Sequence, residues 1–226
     1  MPAFLPADGR ATVVVIDPAR ITGESVATCL HPAEQERAAR FHFEKDARHW
    51  QACRSALRRI LGEALALDPA RVSFELGEHG KPHLPPPHHD LHFNLSHCHD
   101  LALVALCRVG PVGIDLEPAG RTPDLLGCES AFCHPEEMAG LPDPPDQRAA
   151  RLLDLWTSKE ALLKALGTGL SLAPETVSVA AGERSRHPLL REFRIHRLAH
   201  PRLSDHLARL AAPREVEVID ILEFAG

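Results

Sequence analysis

Two stretches, one in each half of the chain, constrain its folding more than any other feature: "LDPARVSF" at 67–74 and "LAPETVSV" at 172–179. They share Leu-x-Pro-x-x-Val-Ser-apolar, and each follows a segment with helical periodicity. Before the first, Trp50, Cys53, Leu57, Ile60, Leu61 and Ala64 recur on one helix face from about Asp46 until Asp68-Pro69 stops the run. Before the second, a long helix is predicted from about Gln147 to Leu166. A helix and turn repeated in equivalent surroundings imply an internal duplication, with two similar α+β halves at 1–110 and 111–226. A ligand is then expected in the cleft between them. The competing account is chance, since such turns are common after helices.

Strands are predicted at 12–17, 71–76, 91–95, 101–107, 112–118, 176–180, 191–198 and 214–222, where β-branched or alternating apolar residues gather. "LPPPHHD" at 84–90 is a loop, because proline lacks the donor and fixes the backbone.

Of the 226 residues 44% are hydrophobic and 25% charged, the balance of a soluble globular protein. Nothing approaches the ~20 continuous apolar residues of a membrane span, and "MPAFLPADGR" has no secretory pattern, so a cytoplasmic location is expected. The six cysteines include no CxxC pair and are expected to be reduced. A net charge of −6 disfavours nucleic acid as a partner. Between His31 and Arg71, however, eight basic residues face six acidic ones, a local excess that can receive an anionic ligand or serve as a solvated helix face.

Three segments carry chemistry. "VGIDLEP" at 112–118 places Asp115 and Glu117 on one face of a strand, where like charges repel unless a cation lies between them. Mg²⁺ takes oxygen ligands and usually only one or two carboxylates, leaving positions for water and phosphate. Glu160 from a helix packed across the strand can complete that partial shell, and an edge strand kept soluble by charge is the alternative. "WTSKEALLKAL" at 156–166 puts Lys159 in the middle of an apolar helix face, where its ammonium must snorkel out or meet a carboxylate or phosphate. Glu160 and Lys164 lie one turn apart, which a plain helix salt bridge also explains. "HFNLSHCHD" at 92–100 offers Ser96 and His97 at a strand end as phosphate contacts. Seven of the fifteen histidines lie between His79 and His99, but the spacing of His88, His89, His92, His97, Cys98 and His99 does not mark zinc.

In order along the chain, "RFHFEKDARHW", "GKP", "FNLSH", "GIDLE" and "WTSKEALLKALGTGLS" resemble the 4′-phosphopantetheinyl transferases of the surfactin-synthetase-activating (Sfp-like) type, over roughly residues 37–180. The resemblance implies a monomer of two α+β halves related by a pseudo-two-fold axis, with coenzyme A bound between them and Mg²⁺ on its pyrophosphate. It implies transfer of the phosphopantetheine arm to a serine of an apo acyl or peptidyl carrier protein, with release of adenosine 3′,5′-bisphosphate. By the same resemblance Asp115, Glu117 and Glu160 hold the metal, and Glu160 is also the base for the serine. Lys164 contacts the reacting phosphate, and Ser96 and His97 contact coenzyme phosphates. Lys81 lies near the 3′-phosphate end, Arg48 and Lys159 are further coenzyme contacts, and Trp156 packs. Trp50 departs from the family pattern, as does the acid-rich "HPAEQERAAR" that offers only Arg37 and Arg40. A nucleotide-binding module and a metal-dependent phosphohydrolase are the rival readings.

Overall fold

A strand that is apolar on both faces needs a cover on both sides, and the layering of this chain provides one. The computed structural model describes residues 2–179 and 187–225. In chain order the elements are β1 (Arg10–Ile16), α1 (Glu24–Cys29), α2 (Pro32–Ala39), α3 (Glu44–Leu65), β2 (Glu75–Leu76), β3 (Pro82–His83), β4 (His92–His97) and β5 (Ala102–Cys107). There follow β6 (Gly113–Pro118), α4 (Glu129–Phe132), α5 (Pro135–Ala139), α6 (Pro145–Leu166), β7 (Phe193–Arg197), β8 (His206–Pro213) and β9 (Val218–Glu223). The mixed α+β composition is the one expected.

One sheet has the order β4-β5-β1-β9 and a second β6-β8-β7, with β2 and β3 forming a small separate pair. Along β1 the pleat sends Val14 and Ile16 toward Leu57, Ile60 and Leu61 of α3. It sends Val13 and Val15 to the opposite core, against Ile114, Leu116, Ala208 and Leu210 of the second sheet. Helix α6 closes the far side, where Leu152, Leu155 and Leu162 meet Ile195 and Ala211. The order of layers is thus α3, first sheet, second sheet, α6. Both central cores are built of buried apolar side chains, so the strands that separate them read as continuous apolar runs.

Several predicted strands change. Arg71 ends a 3-10 turn (Pro69–Arg71) and only Glu75–Leu76 of 71–76 is strand, pairing with the two residues of β3. Thr176 likewise ends a turn (Pro174–Thr176), residues 177–179 have no regular structure, and residue 180 lies outside the described residues. In both places a valine, Val72 or Val177, is buried as a plug under a long helix rather than as part of a ladder. The sequence reading passed over β8, because "HLARLAAP" has no β-branched residue. Its strand state comes from pairing with β6 on one side and β7 on the other, a tertiary effect that outweighs local propensity. The last strand, β9, leaves the second half and lies parallel to β1 at the edge of the first sheet.

The likeness between the two Leu-x-Pro turns extends to the segments around them. "HPAE" at 31–34 and "HPEE" at 134–137 each start a short helix with a histidine N-cap, proline at the first position and a reciprocal glutamate, Glu34 or Glu137. Each glutamate then meets a buried cation on a 22-residue helix. Arg58 is 2% exposed and donates to Glu34 at 2.6 Å, to the Pro69 carbonyl at 3.0 Å and to the Val72 carbonyl at 2.9 Å. Lys159 is fully buried and reaches Glu137 at 2.6 Å, the Phe132 carbonyl at 2.6 Å and the Pro174 carbonyl at 3.0 Å. Each cation is the fifteenth residue of its helix, counting 44 to 58 and 145 to 159.

Candidate active site

The two sheets meet where the edge strands β4 and β6 approach, and side chains stand in for a ladder there. The Ile114 amide donates to Asn94 Oδ1 at 2.9 Å and the Leu116 amide to Ser96 Oγ at 3.2 Å. Ile114 and Leu116 face the central core, so Gly113, Asp115 and Glu117 face α6. Contact with that helix is close enough that a Cβ on Gly113 would stand 2.1 Å from the Ala161 carbonyl oxygen. This approach brings Trp156, Glu160 and Lys164 of α6 over the two carboxylates of β6.

Asp115 is 4% exposed. Its Oδ1 accepts from Lys164 Nζ at 2.6 Å and from Ser96 Oγ at 3.1 Å, and Lys164 also reaches Ser96 Oγ at 3.2 Å. Its Oδ2 is buried with no hydrogen-bond partner among the described residues. Glu117 accepts from Trp156 Nε1 at 3.2 Å and pairs with Arg121 one turn further on. Trp156 therefore does more than pack: its ring lies edge-on to Phe132 while its indole N–H orients Glu117. Burial raises the Glu160 carboxyl above its ordinary value, and the charges of Asp115 and Glu117 push the same way against Lys164 and Arg121. Glu160 thus feels the charge of both other acids.

An unsatisfied buried carboxylate oxygen, beside a glutamate that resists ionisation, is what a donor set for a hard cation should leave open. Among the described residues, the three acids do not bring even one oxygen each within 4.8 Å of one another. Lys164 and Arg121 lie against two of them instead. The set fits Mg²⁺ in its usual form, one or two direct carboxylates with waters completing the shell.

A cavity of about 580 Å³ is lined among others by Arg37, Trp50, Arg54, Arg58, Arg71 and His97, and by none of the three acids. Arg54 and Arg58 are both engaged by Glu34, while the Arg37 guanidinium lies 5.3 Å from the Trp50 ring centre. Burial, then the neighbouring charges of His49 and Lys164, lower the proton affinity of His97.

The remaining expected residues have other settings. Lys159 is not brought to this site: the carboxylate it needed is Glu137, on the far side of α6. Lys81 spans the halves, donating to the Val112 carbonyl at 3.0 Å and the Ala165 carbonyl at 2.9 Å. Desolvation lowers its pKa to about 8. Arg48 pairs with Glu44 at 3.3 Å and lines a different, larger cavity of about 900 Å³. Sequence reasoning missed Arg121, although it stands four residues after Glu117, and missed His49 and Cys53, one turn apart on α3 and beside His97.

Two family models match the chain, "4′-phosphopantetheinyl transferase, N-terminal" over residues 17–108 and "4′-phosphopantetheinyl transferase superfamily" over 111–216. Curated relatives agree. The 4′-phosphopantetheinyl transferase HetI of Nostoc sp. is 38% identical over 155 residues, 67% of this chain and 65% of the relative. A 4′-phosphopantetheinyl transferase of Bacillus subtilis is 34% identical over 147 residues, 65% of this chain and 64% of the relative. The 4′-phosphopantetheinyl transferase Sfp of Bacillus subtilis strain 168 is 29% identical over 150 residues, 66% of each chain. The alignments take in slightly less than two thirds of each relative's own length. With both family models matched in order across the two sheets, the chain belongs to the 4′-phosphopantetheinyl transferase superfamily.

Proposed function

We propose that this protein transfers the 4′-phosphopantetheine arm of coenzyme A to a serine hydroxyl of an apo acyl or peptidyl carrier protein. The reaction is Mg²⁺-dependent and releases adenosine 3′,5′-bisphosphate. The observation that carries this reading is the meeting of Asp115, Glu117, Glu160 and Lys164 across β6 and α6, with one buried Asp115 oxygen left unsatisfied. Asp115, Glu117 and Glu160 would hold the metal, which when bound neutralises charge on the pyrophosphate.

The residues of the chain account for the other requirements. Phosphoryl transfer asks mainly for positioning and for positive charge near oxygens whose charge develops. Lys164, held by Asp115 and Ser96, places an ammonium beside the reacting phosphate. His97 lines the basic cavity and Ser96 bonds Asp115 and Lys164, and the two contact the coenzyme phosphates. Glu160 takes the serine proton, for which its raised proton affinity suits it. The serine oxygen bonds to the phosphorus nearest the pantetheine, the bond from that phosphorus to the bridging oxygen breaks, and the bisphosphate leaves with Lys164 balancing its charge. No covalent enzyme intermediate is needed.

The same proposal covers the architecture, with 1–110 and 111–226 as related halves about a pseudo-two-fold axis. The paired "HPxE" starts, buried cations and Leu-x-Pro turns support it. We place the working protein in the cytoplasm as a monomer, acting on neither nucleic acid nor membrane. No helix is long and apolar enough to cross a membrane.

The test is incubation with coenzyme A, Mg²⁺ and a panel of apo carrier proteins. Carrier mass gain with an equal yield of adenosine 3′,5′-bisphosphate is expected. Hydrolysed coenzyme with unchanged carriers would point to a phosphohydrolase, and unchanged reactants to a binding module.

A further inference from the structure

A second group of ligating atoms lies one residue beyond Ser96. His49 and Cys53 face the same way, one turn apart on α3, and His97 comes to them from the end of β4. His49 Nε2 is 3.3 Å from His97 Nδ1, and Cys53 Sγ is 3.6 Å from His49 Nε2. One ligand atom from each of the three lies within 4.8 Å of the other two.

These spacings have a specific meaning. Zinc bonds of about 2.0–2.1 Å to nitrogen and about 2.3 Å to sulfur, set at tetrahedral angles, separate two nitrogens by about 3.3–3.4 Å and a nitrogen from a sulfur by about 3.6 Å. The two observed separations match that figure. In the neighbouring group of Cys98, Asp100 and His206, His206 Nε2 lies 2.9 Å from Asp100 Oδ1, shorter than the spacing of two tetrahedral ligands on zinc and the length of an ordinary hydrogen bond, while Cys98 Sγ lies 3.4 Å from the same oxygen.

We propose that His49, Cys53 and His97 form a binding site for a borderline-soft divalent cation of the zinc type, separate from the oxygen-donor set of Asp115, Glu117 and Glu160. Donor chemistry sorts the two. Thiolate and imidazole select zinc, whereas carboxylates select magnesium. Three protein ligands leave a fourth tetrahedral position for water or a phosphate oxygen. Access is available because Cys53 and His97 both line the 580 Å³ cavity. Burial lowers the proton affinity of both imidazoles, keeping their lone pairs free. Burial also pushes the Cys53 thiol up to about 12, a cost that coordination removes because a bound thiol gives up its proton to solvent. His97 belongs to both sites. If it contacts coenzyme phosphates as the proposed function has it, zinc and coenzyme A compete for it, and zinc inhibits transfer in the presence of Mg²⁺.

The experiment titrates the whole protein with Co²⁺, and then with Zn²⁺ to displace it. One equivalent of Co²⁺ should give a thiolate-to-cobalt charge-transfer band in the near ultraviolet with tetrahedral visible bands, all erased by Zn²⁺. The charge-transfer band should vanish in Cys53→Ser. Zinc affinity should fall at least about 100-fold there and in His49→Ala, since even loss of an outer partner costs 10–100-fold. Far-ultraviolet dichroism of the metal-free variants checks that they are folded, and His49→Ala, at a part-exposed position, serves should Cys53→Ser disturb the core. No charge-transfer band in the wild type overturns the site. So does a band that survives Cys53→Ser, which would assign it to Cys98. Zinc that binds without any effect of coenzyme A would keep the site and instead remove His97 from the coenzyme contacts.

Discussion

Asp115 stands under opposing demands. One oxygen is held by Lys164 and Ser96, and the other is buried with no partner among the described residues, a state costing a few kcal/mol unless a ligand meets it. Glu160 stores a related cost, because burial and its acidic neighbours raise its carboxyl above the ordinary 4.5. Such an acid contributes stability when protonated that is lost as pH rises through its folded value. Glu160→Gln should therefore raise the melting temperature of metal-free protein at neutral pH while lowering transfer by about 10²-fold or more. Asp115→Ala and Glu160→Ala should each abolish transfer yet retain far-ultraviolet dichroism, and Mg²⁺ should raise the melting temperature of the wild type but not of these variants. Lys81 has the opposite sign. With its folded pKa near 8 against an ordinary 10.5, the unfolded chain binds a proton there that the folded chain does not, so its contribution to stability grows between those values. The denaturation free energy of wild type relative to Lys81→Met should rise from pH 8 to pH 10. Asp115, Glu117, Glu160 and Lys164 were legible because carboxylates on one strand face and an i, i+4 pair are local patterns. His49 and Cys53 were not, since a turn of helix carrying His and Cys means little until the end of β4 is brought to it.

At the scale of elements, the contact of β6 with α6 decides the geometry of the site. Gly113 permits it, for a methyl group there would stand 2.2 Å from the Ala165 amide nitrogen and 2.1 Å from the Ala161 oxygen. Gly113→Ala should cost about 3 kcal/mol or more in chemical denaturation. It should also lower transfer beyond what instability explains, because α6 carries Glu160 and Lys164 away from Asp115. The two long helices, α3 and α6, could be read from periodicity, whereas the short α1, α2, α4 and α5 could not. Strand β8 could not, because its alanine-rich segment becomes strand only between two partners, and of the predicted strands at 71–76 and 176–180 only Glu75–Leu76 has a partner among the described residues. The "HPxE" starts were visible in principle. Their meaning depended on pairing with Arg58 and Lys159, of which periodicity marked only Lys159 as anomalous. Lys159→Ala should destabilise the fold by about 3–5 kcal/mol, since it leaves Glu137 charged and buried. It should leave the KM for coenzyme A near the wild-type value in protein that remains folded, which steady-state kinetics can check.

On the scale of the whole molecule, the first sheet is completed by the last strand. Parallel pairing of β1 with β9 runs from Arg10↔Val218 to Val15↔Glu223, and Arg10 also forms an ion pair with Asp220. A chain ending at Pro213 should lose cooperativity in denaturation and aggregate through the bared edge of β1, which size-exclusion chromatography would reveal. Ordered motifs led the sequence reading to two halves. That one half lends a strand to the other had no local signal, because "VIDILE" reads as a strand wherever it is placed.

That loan has a consequence for birth at the ribosome. Residues 11–217 must emerge before residue 10 can meet its neighbour at 218, so β1 waits with one flank open while they are made. Slow codons or a pause late in translation would prolong that vulnerable interval, and the yield of sound protein depends on how quickly the tail arrives.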